Sequence, residues 1–145
     1  NAMTNSSIDY GYKAMYSSSW KMGNPANSKI VLDIQKAAET NNFDQALSLI
    51  HPDIVINNAD GSTMAGIEVF KSAFEGYIKE NKFKINPMAW MSVVNENGEE
   101  WVLLWTEETI TASDGSISSY YAHEGFKIVD SKVIQVNQFQ QPKLK

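Results

Sequence analysis

Two carboxylates, Glu107 and Glu124, stand on the runs that flank an Asp114-Gly115 dipeptide, and their types and spacing suit proton chemistry. An Asp-Gly pair between alternating apolar and polar runs is the strongest local mark of a β-hairpin, because both central residues of a type I′ turn need positive φ. Pairing outward from a turn centred there sets Thr109 against Tyr120, Glu107 against Ala122, Trp105 against Glu124 and Leu103 against Phe126. The period of two puts all of these on one face, together with Trp101 and Ile128. That face is the more apolar and is expected to pack on helices. The other face would hold Leu104, Thr106 with His123, and Glu108 with Tyr121.

On the apolar face Glu124 would lie against Trp105, with Glu107 diagonally across. Burial and mutual repulsion raise the pKa of such acids, and two of them can share a proton and act as an acid or hydrogen-bond donor. The simpler alternative makes Glu124 a strand-end carboxylate reaching water and Glu107 a rim residue. His123 falls on the opposite face and suits a surface or subunit contact better than a shared site. Gln138 and Gln140 alternate with Ile134 and Val136, which fits either the polar end of a pocket or a solvated last strand.

Composition removes several function classes. The chain has 145 residues, 43% of them hydrophobic, enough for one domain with a real core. Its net charge is −5 and all twelve basic residues are Lys, so the side chain that most often grips phosphate bidentately is missing. Nucleic acid and large anionic substrates are therefore not expected. Zero Cys excludes disulfides and thiolate chemistry, and two His exclude a histidine-rich metal site. No metal and no cofactor are expected. No apolar run approaches a membrane span, so a cytoplasmic protein without membrane contact is expected.

The elements that must position these residues can be read in order. Asn1-Ala2 is read as a tag remnant before Met3, and residues 1–23 as an N-terminal extension whose Tyr10, Tyr12, Tyr16 and Trp20 dock on something. Residues 24–145 form the domain. Asn24-Pro25 opens a helix, as cap and first helical residue, with Ile30, Val31, Ile34, Ala37 and Ala38 on its apolar stripe. Asn42 with Gln45 makes a capping box for a short second helix, and His51-Pro52 stops it. Ile54–Ile56 is a short strand, Asn57 to Gly61 a turn, and Gly66 to about Asn81 a third helix with Ile67, Phe70, Phe74 and Tyr77 or Ile78 inward. Strands follow at about 88–95, 99–111, 116–129 and 132–140. Helices first and an antiparallel meander afterwards is an α+β pattern.

Four local signatures occur in a telling order: Ala38-Glu39-Thr40-Asn41-Asn42-Phe43-Asp44-Gln45-Ala46-Leu47, Ile50-His51-Pro52-Asp53-Ile54-Val55-Ile56, Gly61 through Gly66-Ile67-Glu68, and His123-Glu124-Gly125-Phe126-Lys127-Ile128-Val129-Asp130-Ser131-Lys132-Val133-Ile134. Over residues 24 to 141 the chain thereby resembles the nuclear transport factor 2-like superfamily, which includes SnoaL-like polyketide cyclases and ketosteroid isomerases. The resemblance implies a cystatin-like cone, a curved antiparallel sheet wrapped around helices, with a pocket between its concave face and the first and third helices. It also implies a homodimer through the outer sheet face, for which Val102, Leu104, Tyr121, Val133 and Phe139 are the apolar candidates. The general-base Asp of the isomerases falls at Asn58, their oxyanion-hole Tyr at Ile34, its supporting tyrosines at Ile50 and Phe74, and their protonated Asp at Glu124. One of the five positions keeps its chemistry, which argues against steroid isomerisation.

Two functions remain from the sequence. The first is a small-molecule-binding domain with a mostly apolar pocket formed by Ile34, Asn58, Phe70, Phe74, Trp105, Tyr120 and Gln138, taking a neutral or cationic organic ligand. The alternative is a cofactor-free lyase, isomerase or cyclase acting on a carbonyl compound, with Glu124 and Glu107 as its acid and base. An open cavity with Glu124 desolvated would favour chemistry, and a cavity filled by side chains would oppose it.

Overall fold

Asn24 starts the first helix as its type dictates, its side-chain oxygen accepting from the Ala26 N–H at 3.0 Å. The computed structural model describes residues 8–144, so Asn1-Ala2, expected to be a tag remnant, lies outside the described residues. Helix α1 runs Pro25–Glu39 and buries Val31, Ile34 and Ala37 on one stripe. Asn42 then caps α2, Phe43–Ser48, through Gln45, whose backbone N–H and side chain it engages at 3.3 and 3.0 Å. Helix α3 spans Ile67–Glu80 and buries Phe70 and Ile78.

The strands form one curved, mixed, seven-stranded sheet among the described residues, in the order β1-β4-β5-β6-β7-β2-β3. They are β1 (Trp20–Met22), β2 (Ile50–Asn57), β3 (Thr63–Ala65), β4 (Asn81–Asn95), β5 (Glu100–Ala112), β6 (Ile117–Val129) and β7 (Lys132–Pro142). Neighbours are antiparallel except β2 and β7, which run parallel. Four elements differ from the sequence expectation. Strand β2 begins at Ile50 and carries His51-Pro52 within it, β3 adds a strand between the Asn57–Gly61 turn and α3, β4 starts at Asn81 instead of about residue 88 and carries Pro87 at a register shift, and Trp20–Met22 of the N-terminal segment pairs with β4 at the sheet edge.

The decisive difference is at Asp114-Gly115. Ala112 and Ser116 close a three-residue loop, the Ala112 N–H donating to the Ser116 carbonyl and the Gly115 N–H to the Ala112 carbonyl, each at 2.9 Å. Only Gly115 has positive φ, +85°. The Asp114 carboxylate instead accepts from the Ser116 N–H at 2.9 Å and hydroxyl at 2.6 Å, which favours a type I turn ending in a left-handed glycine over a type I′ turn. Asp60-Gly61-Ser62 repeats this, with Gly61 at φ +89° and the same two bonds to Asp60 at 2.8 and 2.6 Å. The extra loop residue shifts the β5–β6 register by one. Trp105 pairs with His123, Leu104 with Glu124, Thr106 with Ala122, Glu107 with Tyr121 and Glu108 with Tyr120.

A one-residue slip turns every side chain of one strand over. The helix-facing side of β5 is therefore Val102, Leu104, Thr106 and Glu108, all buried, while Trp101, Leu103, Trp105 and Glu107 lie outside and are partly exposed. Strand β6 keeps the expected face, with Ala122, Glu124, Phe126 and Ile128 buried. The core joins Val31, Ile34, Ile54, Phe70, Leu104, Phe126 and Val133 between the sheet and the helices. Val102, Leu104 and Val133, expected on an outer dimer face, are completely buried in this core. At one end Ser28 of α1 and Ser92 of β4 share a buried hydroxyl pair at 2.6 Å, fixing the helix to the sheet.

Candidate functional site

Between the concave face, α1 and α3 lies a cavity of about 410 Å³. The helices line it with Ile34, Gln35 and Ala38 from α1 and Phe70, Ala73, Phe74 and Tyr77 from α3. These positions recur at intervals of three and four, so each helix turns one stripe inward. Strand β4 adds Phe83 and Ile85, β5 adds Glu108, β6 adds Tyr120, Glu124 and Phe126, and β7 adds Val133, Val136, Gln138 and Gln140. Asn58, after β2, closes one side. Phe70 and Phe74 stack at 5.2 Å, leaving a flat apolar wall.

Of the residues expected at the pocket, Ile34, Asn58, Phe70, Phe74, Tyr120, Gln138 and Glu124 line this cavity. Trp105 and Glu107 do not. Both stand on the outer face because of the register shift; the Trp105 ring meets the His123 ring edge-on at 4.6 Å, and Glu107 pairs with Lys143 at 3.1 Å. Glu108 takes the place given to Glu107. Its signal in the sequence was the Asp114-x-Ser116 spacing, which allows the carboxylate to bond its own loop and lengthen the turn. The five positions carried over from the isomerase pattern, Ile34, Ile50, Asn58, Phe74 and Glu124, all border the one cavity.

Glu124 is 7% exposed and has no cation beside it among the described residues. Removal from water penalises its ionised form and the Glu108 charge adds repulsion, so its pKa rises from 4.5 to about 8, against a weaker opposing effect from the Gln138 amide. Gln138 is the cross-strand partner of Glu124, and its side-chain oxygen accepts from the Ala59 N–H at 3.3 Å. That bond turns the Gln138 NH₂ group toward the carboxyl. Glu108 is equally buried, and burial raises its pKa, but the Thr106 hydroxyl donates to it at 3.0 Å and the Tyr120 phenol beside it also favours its anion. Burial thus shifts both acids the same way, and the two hydroxyl donors oppose that shift at Glu108. Burial and the Glu108 charge keep the Tyr120 phenol protonated, and the Tyr77 phenol is shifted the same way.

The cone-shaped α+β fold is shared with solved structures. An epoxide hydrolase of the LEH-like kind from M. tuberculosis superposes with a TM-score of 0.68 at 13% identity, over 79% of this chain and 82% of that one. This fold is the nuclear transport factor 2-like cone. A nuclear transport factor 2-like protein from Burkholderia xenovorans superposes at TM-score 0.65 and 15% identity, over 83% of this chain and 93% of its own. A candidate polyketide cyclase from Pseudomonas putida does so at 0.63 and 15%, over 78% and 90%. No protein-family model matches the sequence, and no curated protein matches it. Likeness at this identity establishes the cone and leaves function to the site itself. Among the described residues no helix is long and apolar enough to cross a membrane.

Proposed function

We propose that the cavity receives a small, largely apolar organic molecule and that Glu124 exchanges protons with it, in a cofactor-free isomerisation, elimination or cyclisation of a carbonyl compound. The observation that carries this reading is the buried Glu124 carboxyl facing open cavity space with no cation to hold it ionised. Protonated at neutral pH, it donates to a carbonyl oxygen; once ionised, it can take a proton back. Tyr120 and the Gln138 amide supply further donors on the same wall, and the apolar rings exclude water from the transfer.

A second reading is a binding module that uses the cavity without chemistry. It is favoured by Ile34, Ile50 and Asn58, which put two aliphatic side chains and an amide where the isomerase pattern has two hydroxyls and a base. In either case the ligand is neutral or cationic, since among the described residues no Lys or His lines the cavity. A homodimer through the outer sheet face goes with both readings, on the corrected surface of Trp105, Tyr121, His123 and Phe139, as does a cytoplasmic location away from nucleic acid and membrane.

The test is hydrogen–deuterium exchange next to the carbonyl in a panel of cyclic and aromatic ketones, followed by NMR. The panel includes one epoxide, because a structural neighbour is named an epoxide hydrolase and ring opening is also assisted by proton donation to oxygen. Glu124→Gln should lower turnover about 10²- to 10⁴-fold. Undiminished turnover in that variant refutes the proton role. Ketones that bind in the cavity without exchange support the binding module.

A further inference from the structure

The end of the cavity around Glu108 has a composition the proton reading does not use. Glu108 lies opposite Tyr120 on β6 and opposite Ile85 on β4. Phe83, two residues before Ile85, points into the same cavity, and its ring meets that of Tyr77 at 5.0 Å. Tyr77 and Tyr120 both feel the Glu108 charge. Two phenols therefore lie near one carboxylate that is 7% exposed, the Phe83 ring packs against one of them, and among the described residues no Lys or His pairs with the carboxylate. Tyr77 is 47% exposed, so this end is open to solvent.

A buried carboxylate with two hydrogen-bond donors on it is still short of a counter-charge, and aromatic faces are negative. Together they attract a cation that is large and weakly hydrated, one whose desolvation costs little. A metal ion would need more oxygen ligands than this end offers, and a guanidinium would demand a second carboxylate edge or carbonyls. An alkylated ammonium needs only rings and one negative charge.

We propose that the ligand of this cavity carries a methylated or otherwise tertiary or quaternary ammonium group, seated among Tyr77, Phe83, Tyr120 and the Glu108 carboxylate, with its apolar body running inward toward Glu124. This rests on the reading of the cavity as a small-molecule site and names the chemistry of its occupant. Glu108 is then a binding residue, held ready by Thr106, while Glu124 faces the inner part of the ligand. The two carboxyls differ in role because only Glu108 accepts from a hydroxyl, that of Thr106, and lies beside the phenols; those donors oppose the effect of burial on it, and a bound cation would oppose it further.

The experiment compares benzyltrimethylammonium with its uncharged carbon isostere, neopentylbenzene, on the intact protein. Binding is followed through the NMR signals of the Phe and Tyr ring protons. The cation should bind at least about tenfold more tightly than the isostere, the scale of a desolvated cation among aromatic rings with a charged partner. Glu108→Gln should remove most of that preference while leaving the affinity of the isostere within about twofold. Phe83→Leu, which leaves the charge in place, should weaken the cation several-fold more than the isostere and serves if the Gln variant does not fold. Equal affinities in the wild type, with the cavity rings perturbed by both probes, overturn the ammonium proposal and leave the cavity reading standing. Failure of both probes to perturb the cavity rings overturns the two together. A preference that survives both substitutions places the cation elsewhere and refutes the assignment to this end.

Discussion

Replacing Glu124 with Gln should flatten the dependence of folding stability on pH. In the folded protein the carboxyl keeps its proton to about pH 8, while in the unfolded chain it releases it near the ordinary 4.5. Between those values the folded state binds the extra proton, so this contribution is fully present below about pH 4.5 and is lost as pH rises through 8. At about 1.4 kcal/mol per pKa unit, the wild type should lose about 4 kcal/mol between pH 5 and pH 9 from this group. That is a large part of the 5–15 kcal/mol, roughly, that holds an ordinary domain folded. Glu108, whose pKa is also raised, adds loss of the same sign. Gln keeps the size and cannot ionise, so the variant should retain only the smaller Glu108 slope and become the more stable protein at pH 9. Urea unfolding at half-unit pH steps, read by Trp fluorescence, measures both curves. Parallel curves for wild type and variant would mean that Glu124 titrates alike in both states, and the buried-acid argument would be wrong.

The remaining predictions test the register and the outer face. Glu107→Gln should leave turnover and ligand affinity unchanged and cost less than about 1 kcal/mol, because Glu107 holds only a partly exposed ion pair with Lys143 on the outer side. A loss of activity comparable to that of Glu124→Gln would put Glu107 back in the cavity. Phe139, 66% exposed on the outer face beside His123, should when changed to Glu convert a homodimer to monomer in light scattering. A wild type that is already monomeric at micromolar concentration removes the dimer.

The sequence by itself determined the local structure, because local rules decide it. Asn24 and Asn42 cap the helices they announced, and the apolar stripe of α1 buries Val31, Ile34 and Ala37 as its spacing required. The alternation of β5 and β6 was equally plain, and with it the side of the sheet on which Glu124 falls. The partner face of β5 was not legible. Its odd-numbered residues, Trp101, Leu103 and Trp105, are the larger and more apolar set, yet the core takes Val102, Leu104 and Thr106. Which set faces inward depended on one residue in a turn. Asp114 satisfies Ser116 with its carboxylate and makes a three-residue loop, while a two-residue turn with both residues at positive φ forms at Asp130-Ser131, where no glycine advertises it. The strand between Thr63 and Ala65 and the parallel pairing of β2 with β7 were hidden for a related reason, since they depend on partners distant in sequence. Helix periodicity tolerates an error of one position, because neighbouring residues share much of a face. A strand does not, because its side chains alternate with a period of two, so only the assembled sheet could decide that Glu108, and not Glu107, shares the cavity with Glu124.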